Sequence, residues 1–210
     1  MATSLTRVAK SWPATLTHQF LVDETLTDAA GTVSVVVTDA NGAVVSSGTA
    51  THASTGTYTY ALPAQAALAW LTVSWSGSVA GATVAEIDLV EVVGGFYFSL
   101  VEGRNSDVAL ADTTKYPTAA LAEARVEVEQ ECEEITGRAF VPRYRRVVLD
   151  GSGSSELLLP DADIRTIRAA RVASRADGTF VPLTTAQLAA LVPGEDDILR
   201  RVDYLIWTEG

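Results

Sequence analysis

Residues 32–45 read Thr-Val-Ser-Val-Val-Val-Thr-Asp-Ala-Asn-Gly-Ala-Val-Val, and this stretch decides the fold of the first half. Thr32–Thr38 is β-branched at every position but Ser34, which suits a pleated strand. Asp39-Ala40-Asn41-Gly42 signals a turn, because Asn-Gly adopts the positive φ angles that a tight hairpin demands. Ala43-Val44-Val45 returns as its partner. Downstream, Gly56–Pro63 (GTYTYALP) alternates with period two, setting Tyr58, Tyr60 and Leu62 on one face and Thr57, Thr59 and Ala61 on the other. Leu71, Val73 and Trp75 share a face in the same way, Ser76-Gly77 punctuates the run, and Thr83–Val93 supplies apolar residues for a further strand pair. Short strands at near-regular spacing with turn residues between them predict a small antiparallel β-sandwich.

The sandwich lacks the Cys–Trp–Cys core of true immunoglobulin domains, so the expectation is an immunoglobulin-like one. Beyond Gly94-Gly95 the composition changes. Residues 1–99 hold two basic residues, Arg7 and Lys10, and seven acidic ones; residues 100–210 hold the other 13 basic and 19 acidic residues. Two domains are expected, a β-sandwich over 1–95 and an α+β domain over 96–210, with a fragment beginning near Phe96 folding alone. In the second part Phe96–Val101 ends the last strand or opens a short helix. Pro117-Thr118 starts a long helix and Gly137 ends it. Leu121, Ala124, Val128, Cys132 and Ile135 recur at helical spacing and predict its inward stripe. Val147–Leu149 and Glu156–Leu159 read as strands around a loop, and Ile164–Ser174 fits either helix or strand. Thr185–Leu191 reads as a short helix, and Arg200–Trp207 as a closing strand.

The 210 residues carry a formal net charge of −11, one Cys and two His. A chain this long buries roughly 70% of its surface on folding, enough for a real core. The acidity argues against a protein that coats nucleic acid, which needs phosphate-neutralising cations. A single Cys excludes an intrachain disulfide, and so few soft ligands argue against a structural zinc site. The start lacks the apolar run of a signal peptide, and no segment approaches the ~20 apolar residues of a membrane span.

Catalytic signatures are missing. His18 and His52 read as surface or loop residues, Cys132 as a buried inert thiol, and Trp75 as core. Asp150-Gly151-Ser152-Gly153 lacks the Lys-Ser/Thr of a phosphate-binding loop. Asp161/Asp163 and Glu195-Asp196-Asp197 do not follow calcium-loop spacing. No enzyme activity, cofactor or metal is expected. One feature goes beyond this. Glu123, Glu127, Glu131 and Glu134 form a stripe along the long helix, with Glu129 and Glu133 on a neighbouring face, although like charges at such spacing repel. The stripe is a solvated face, the lining of a channel that conducts DNA, or a partner for Arg143, Arg145 and Arg146. Those arginines are candidates for pairing across a subunit seam or within the subunit.

Lys115-Tyr116-Pro117, Ala124-Arg125 and above all Ile135–Arg143 (ITGRAFVPR) resemble the head-to-tail connector (adaptor) proteins of siphovirus-type tailed phages. Trp75–Gly81 leading to Val90–Gly95 resembles the β-sandwich that some of them carry in front. The resemblance implies a helical connector domain with a small sheet, no enzyme activity, and a homo-oligomeric ring, usually of twelve subunits, beneath the portal protein. It also implies contact with a stopper (head-closure) or tail-terminator protein, genomic DNA passing through without specific binding, and no membrane. The site of action would be the head–tail junction of the virion, after assembly in the host cytoplasm. Such proteins usually run on past the Trp-Thr-Glu-Gly segment, which implies that a portal-engaging C-terminal segment is missing or shortened here. The rival reading is a binding module whose sandwich recognises a glycan or cell surface.

Overall fold

The Asp39 carboxylate accepts the N–H groups of Asn41 at 2.8 Å and Ala43 at 2.9 Å, and Gly42 takes φ +81°, closing the expected hairpin. The computed structural model describes residues 5–151, 153–159, 164–173, 178–193 and 198–201. Their strands are β1 (Leu5–Ala9), β2 (Ala14–Gln19), β3 (Leu21–Val22), β4 (Thr25–Leu26), β5 (Ala29–Asp39), β6 (Val44–Thr49), β7 (Thr51–Ser54), β8 (Thr57–Leu62), β9 (Ala69–Val79) and β10 (Ala82–Val93). Then come α1 (Leu100–Ser106), a 3-10 turn (Val108–Ala111), α2 (Thr118–Thr136), β11 (Glu156–Leu158), β12 (Arg171–Ala173), β13 (Phe180–Pro182), α3 (Thr185–Ala189), β14 (Leu191–Pro193) and β15 (Ile198–Arg201). The described chain is mostly strand, in several sheets, with few helices.

A five-stranded sheet runs β1-β10-β9-β5-β6, and a three-stranded sheet runs β2-β8-β7. The two share one core. Tyr58, Tyr60 and Leu62 come from the smaller sheet; Val35, Val37, Val73 and the fully buried Trp75 come from the larger. Alternation set these faces, since successive side chains of a strand point to opposite sides. Two details differ from the sequence reading. Thr83–Val93 is not a strand pair but part of one long strand, paired along its length with β9 through a tight turn at Ala80-Gly81. The sheet is not wholly antiparallel either: β1 joins its edge parallel to β10, with Leu5 opposite Leu89 and Val8 opposite Val92.

Contacts divide the chain into two compact units, 1–145 and 146–210. The break expected at Gly94-Gly95 lies inside the first. Gly94 donates its N–H to Pro142 O at 2.9 Å, and a Cβ there would come within 2.9 Å of the Pro142 ring. This glycine permits a close backbone approach; it does not mark a linker. α1 opens with a capping box in which Ser99 and Glu102 satisfy each other's backbone N–H groups.

In the second unit β11-β15-β14 form a small sheet and β12 pairs with β13. Leu191 and Leu199 are its buried centre, with Leu157, Ile167, Val172, Leu183 and Leu188 against them. Val147–Leu149, expected as a strand, is irregular and exposed. The ambiguous stretch 164–173 is irregular until β12, and the short helix stops at Ala189, because Leu191–Pro193 joins the sheet. Asp161, Asp163, Glu195, Asp196, Asp197 and 202–210 lie outside the described residues.

Candidate functional site

α2 begins after Pro117 without a side-chain cap and ends at Gly137, which takes the left-handed conformation (φ 65°, ψ 13°). Its inward face is not the predicted one. Ala124, Val128 and Ile135 are exposed, Val128 by 47% and Ile135 by 77%, while Leu121 and Cys132 are half-buried. The helix packs instead through Ala122, Arg125, Val126, Glu129 and Glu133, and Glu129 is fully buried. A charged network replaces the expected apolar seam.

Glu129 Oε1 accepts the backbone N–H of Tyr97 at 2.8 Å. Its Oε2 accepts from Arg7 Nη1 at 3.2 Å and Arg143 Nη2 at 3.4 Å. From β1, Arg7 also donates through Nε to Glu91 Oε2 of β10 at 2.9 Å and through Nη2 to Glu133 Oε2 at 2.8 Å. Glu133 Oε1 accepts the Tyr97 hydroxyl at 2.9 Å and Arg143 Nε at 3.2 Å. Two guanidiniums and three carboxylates thus join β1, β10, α2 and the segments around Tyr97 and Arg143. Beside them Arg125 lies 3.4 Å from the centroid of the Phe96 ring and donates to Phe98 O. Arg143 Nη1 is buried without a hydrogen-bond partner among the described residues.

The network shifts its own ionisations. Burial pulls the Arg7 guanidinium pKa down, but Glu91 and Glu133 outweigh it and hold it above its ordinary value. For Glu133 burial pushes upward, while Arg143, Tyr97 and Arg7 bring the carboxyl below its ordinary value. Burial raises the Tyr97 phenol, and Glu133 adds to the rise. Burial lowers the pKa of Arg125. The chemistry here is that of a latch, in which each of the three carboxylates accepts from at least one guanidinium.

Neither a family model nor a curated protein nor a solved structure matches the chain. Its function has to be read from its own surface.

Glu123, Glu127, Glu131 and Glu134 are all exposed, on the side of α2 away from the latch. Of the three arginines expected at a seam, Arg143 pairs within the chain, with Glu91, Glu129 and Glu133, and not with the exposed stripe. Arg145 and Arg146 are exposed and close the first unit and open the second. His18 is a correction. It is buried, stacked on Trp75 with centroids 5.1 Å apart, with Nδ1 2.8 Å from Asp88 and Nε2 3.3 Å from Glu86. Strand alternation on β2 points it inward with Leu16. His52 is exposed beside Asp28 at 2.9 Å. Among the described residues no group of three or more His, Cys, Asp or Glu could hold a metal ion, and no helix is long and apolar enough to cross a membrane. Sequence reasoning passed over Arg7, Glu91 and Tyr97. The available signal was the rarity of cations in the first 99 residues, where Arg7 and Lys10 stand alone.

Proposed function

We propose that this chain is a non-enzymatic structural protein of a tailed-phage neck. It forms a homo-oligomeric ring beneath the portal, meets a stopper or tail-terminator protein on the other side, and passes DNA without binding it specifically. In this reading the two facing sheets are an immunoglobulin-like sandwich and the helices with the small second unit are the connector. The observation that carries it is the outward side of α2. The helix is held by charged groups on one side and offers an exposed apolar row next to an acidic row on the other. An exposed apolar row on an otherwise well-anchored helix is the mark of a surface that meets protein. The net charge of −11 suits a conduit, because few cations are available to condense on phosphate. Together with the ITGRAFVPR resemblance, these features favour the connector over a glycan-binding module. A sugar platform would need several exposed aromatic faces side by side; of the described tryptophans Trp75 is fully buried, Trp70 is half-buried and Trp12 alone is exposed.

Native mass spectrometry and negative-stain images of the purified protein test this. Closed rings are expected, in dodecamers or a nearby number. A monomer at all concentrations, with affinity for glycans, overturns the reading in favour of the binding module.

A further inference from the structure

Several arginines of the second half are occupied among the described residues. Arg104 donates to Leu110 O, Tyr116 O and Thr118 Oγ1; Arg125 lies on Phe96; Arg143 is in the latch; Arg200 pairs with Glu156 at 2.9 Å. Arg165 and Arg171 are different. Both are exposed, Arg171 on β12 itself and Arg165 on the segment leading into it. The partner strand β13 exposes Phe180 by 52% and Val181 by 60%, with Arg171 opposite Pro182 and Val172 opposite Val181. Strand alternation sets Phe180 and Pro182 on the face of Arg171 and Val181 on the other, so one face of the β12–β13 pair has apolar side chains next to a cation. The outward side of α2 has the reverse: Val128 and Ile135 next to Glu123, Glu127, Glu131 and Glu134.

We infer that these two surfaces belong to one contact between copies of this chain, the outward side of α2 on one copy against the Arg171 face of the β12–β13 pair on the next. Charge complementarity names the occupant. The α2 surface needs a partner that is apolar and basic, and the chain itself carries one. Two different patches that complement each other make a heterologous contact, the kind that closes into rings. This inference rests on the ring reading above and assigns its seam. It also decides between the roles left open for the glutamate stripe. At about 100° per residue the apolar row lies roughly a third of a turn from the acidic row, on the same exposed half of the helix. A channel wall facing water and phosphate has no use for exposed Val128 and Ile135, whereas a protein neighbour removes them from water and pairs the carboxylates together.

Reciprocal charge reversal tests it. One variant carries Glu127→Arg and Glu131→Arg, a second carries Arg165→Glu and Arg171→Glu, and a third carries all four. Each pair alone places like charges at the seam, and the concentration needed for assembly is expected to rise by about tenfold or more. The four-fold variant, and an equimolar mixture of the first two, are expected to assemble again. Recovery on mixing also shows that both partners are folded. Labelling of Cys132, the chain's one cysteine and half-buried beside the apolar row, is expected to slow on assembly of the unaltered protein. If the unaltered protein forms rings but the reversals do not disturb them, or disturb them without rescue, the seam is elsewhere and the ring reading survives. If the unaltered protein never assembles, the ring reading fails and this contact fails with it.

Discussion

A carboxylate with no exposed surface in the middle of a helix is costly unless donors replace the water it loses. Glu129 has three, from Tyr97, Arg7 and Arg143. Removing it leaves two buried guanidiniums short of a partner, so Glu129→Ala is expected to destabilise the fold by about 3–5 kcal/mol in urea unfolding. Glu127→Ala, exposed on the other side of the helix, is expected to stay within about 0.5 kcal/mol. Equal effects from the two would mean that the latch contributes nothing. Glu133 gives the latch a pH dependence. Its folded pKa lies below the ordinary value, so its stabilisation is full above the unfolded pKa of about 4.3 and is lost as pH falls through the folded value. Unfolding midpoints followed from neutral to acid pH should therefore fall below that point, and Glu133→Gln should flatten the fall. A variant curve as steep as the parent's would assign the acid sensitivity to other carboxylates. Gly94 adds a steric test: with Pro142 2.9 Å from a new Cβ, Gly94→Ala is expected to cost about 1–3 kcal/mol by thermal unfolding.

Elements were legible where their inward residues are apolar. β8 and β9 follow period two so closely that the alternation alone puts Tyr58, Tyr60, Val73 and Trp75 on faces that turn out to be core. β5 was legible instead from its β-branched run, with Val35-Val36-Val37 leaving its faces open. β1 and β2 were not legible, and both bury a polar side chain, Arg7 under α2 on one and His18 in the core on the other. The extent of α2 was legible from Pro117 and Gly137, but its orientation was not. Periodicity reasoning takes the apolar row to be the buried one, whereas Arg125, Glu129 and Glu133 recur at spacings of four on the side that packs. Ion pairing satisfied that side, and hydrophobicity was left outside. The inversion is testable. In the unassembled chain Ile135→Ser is expected to change unfolding free energy by less than about 0.5 kcal/mol, as befits a position exposed there. A loss of about 2 kcal/mol or more would restore the row to a core.

For the whole molecule, the boundary read at the composition change separates residues that the latch holds together. A fragment of residues 96–210 lacks Arg7 and Glu91, so α2 would keep Arg143 as its remaining partner from the latch cations Arg7 and Arg143. Hydrogen exchange of that fragment is expected to show α2 amides less protected than in the full chain by about tenfold or more, the equivalent of roughly 1.4 kcal/mol. Undiminished protection would make the β half dispensable to the helix. The placement of Arg7 also sets an order of events during synthesis. Its partners Glu129 and Glu133 lie 122 and 126 residues further along the chain. At a ribosomal pace of 5–20 residues per second, they are made about 6–25 s after it. The two sheets can close over their apolar core in that interval, but the guanidinium on the edge strand has only Glu91 to neutralise it. The strand that carries Arg7 is made well before α2 and is fully secured only after it.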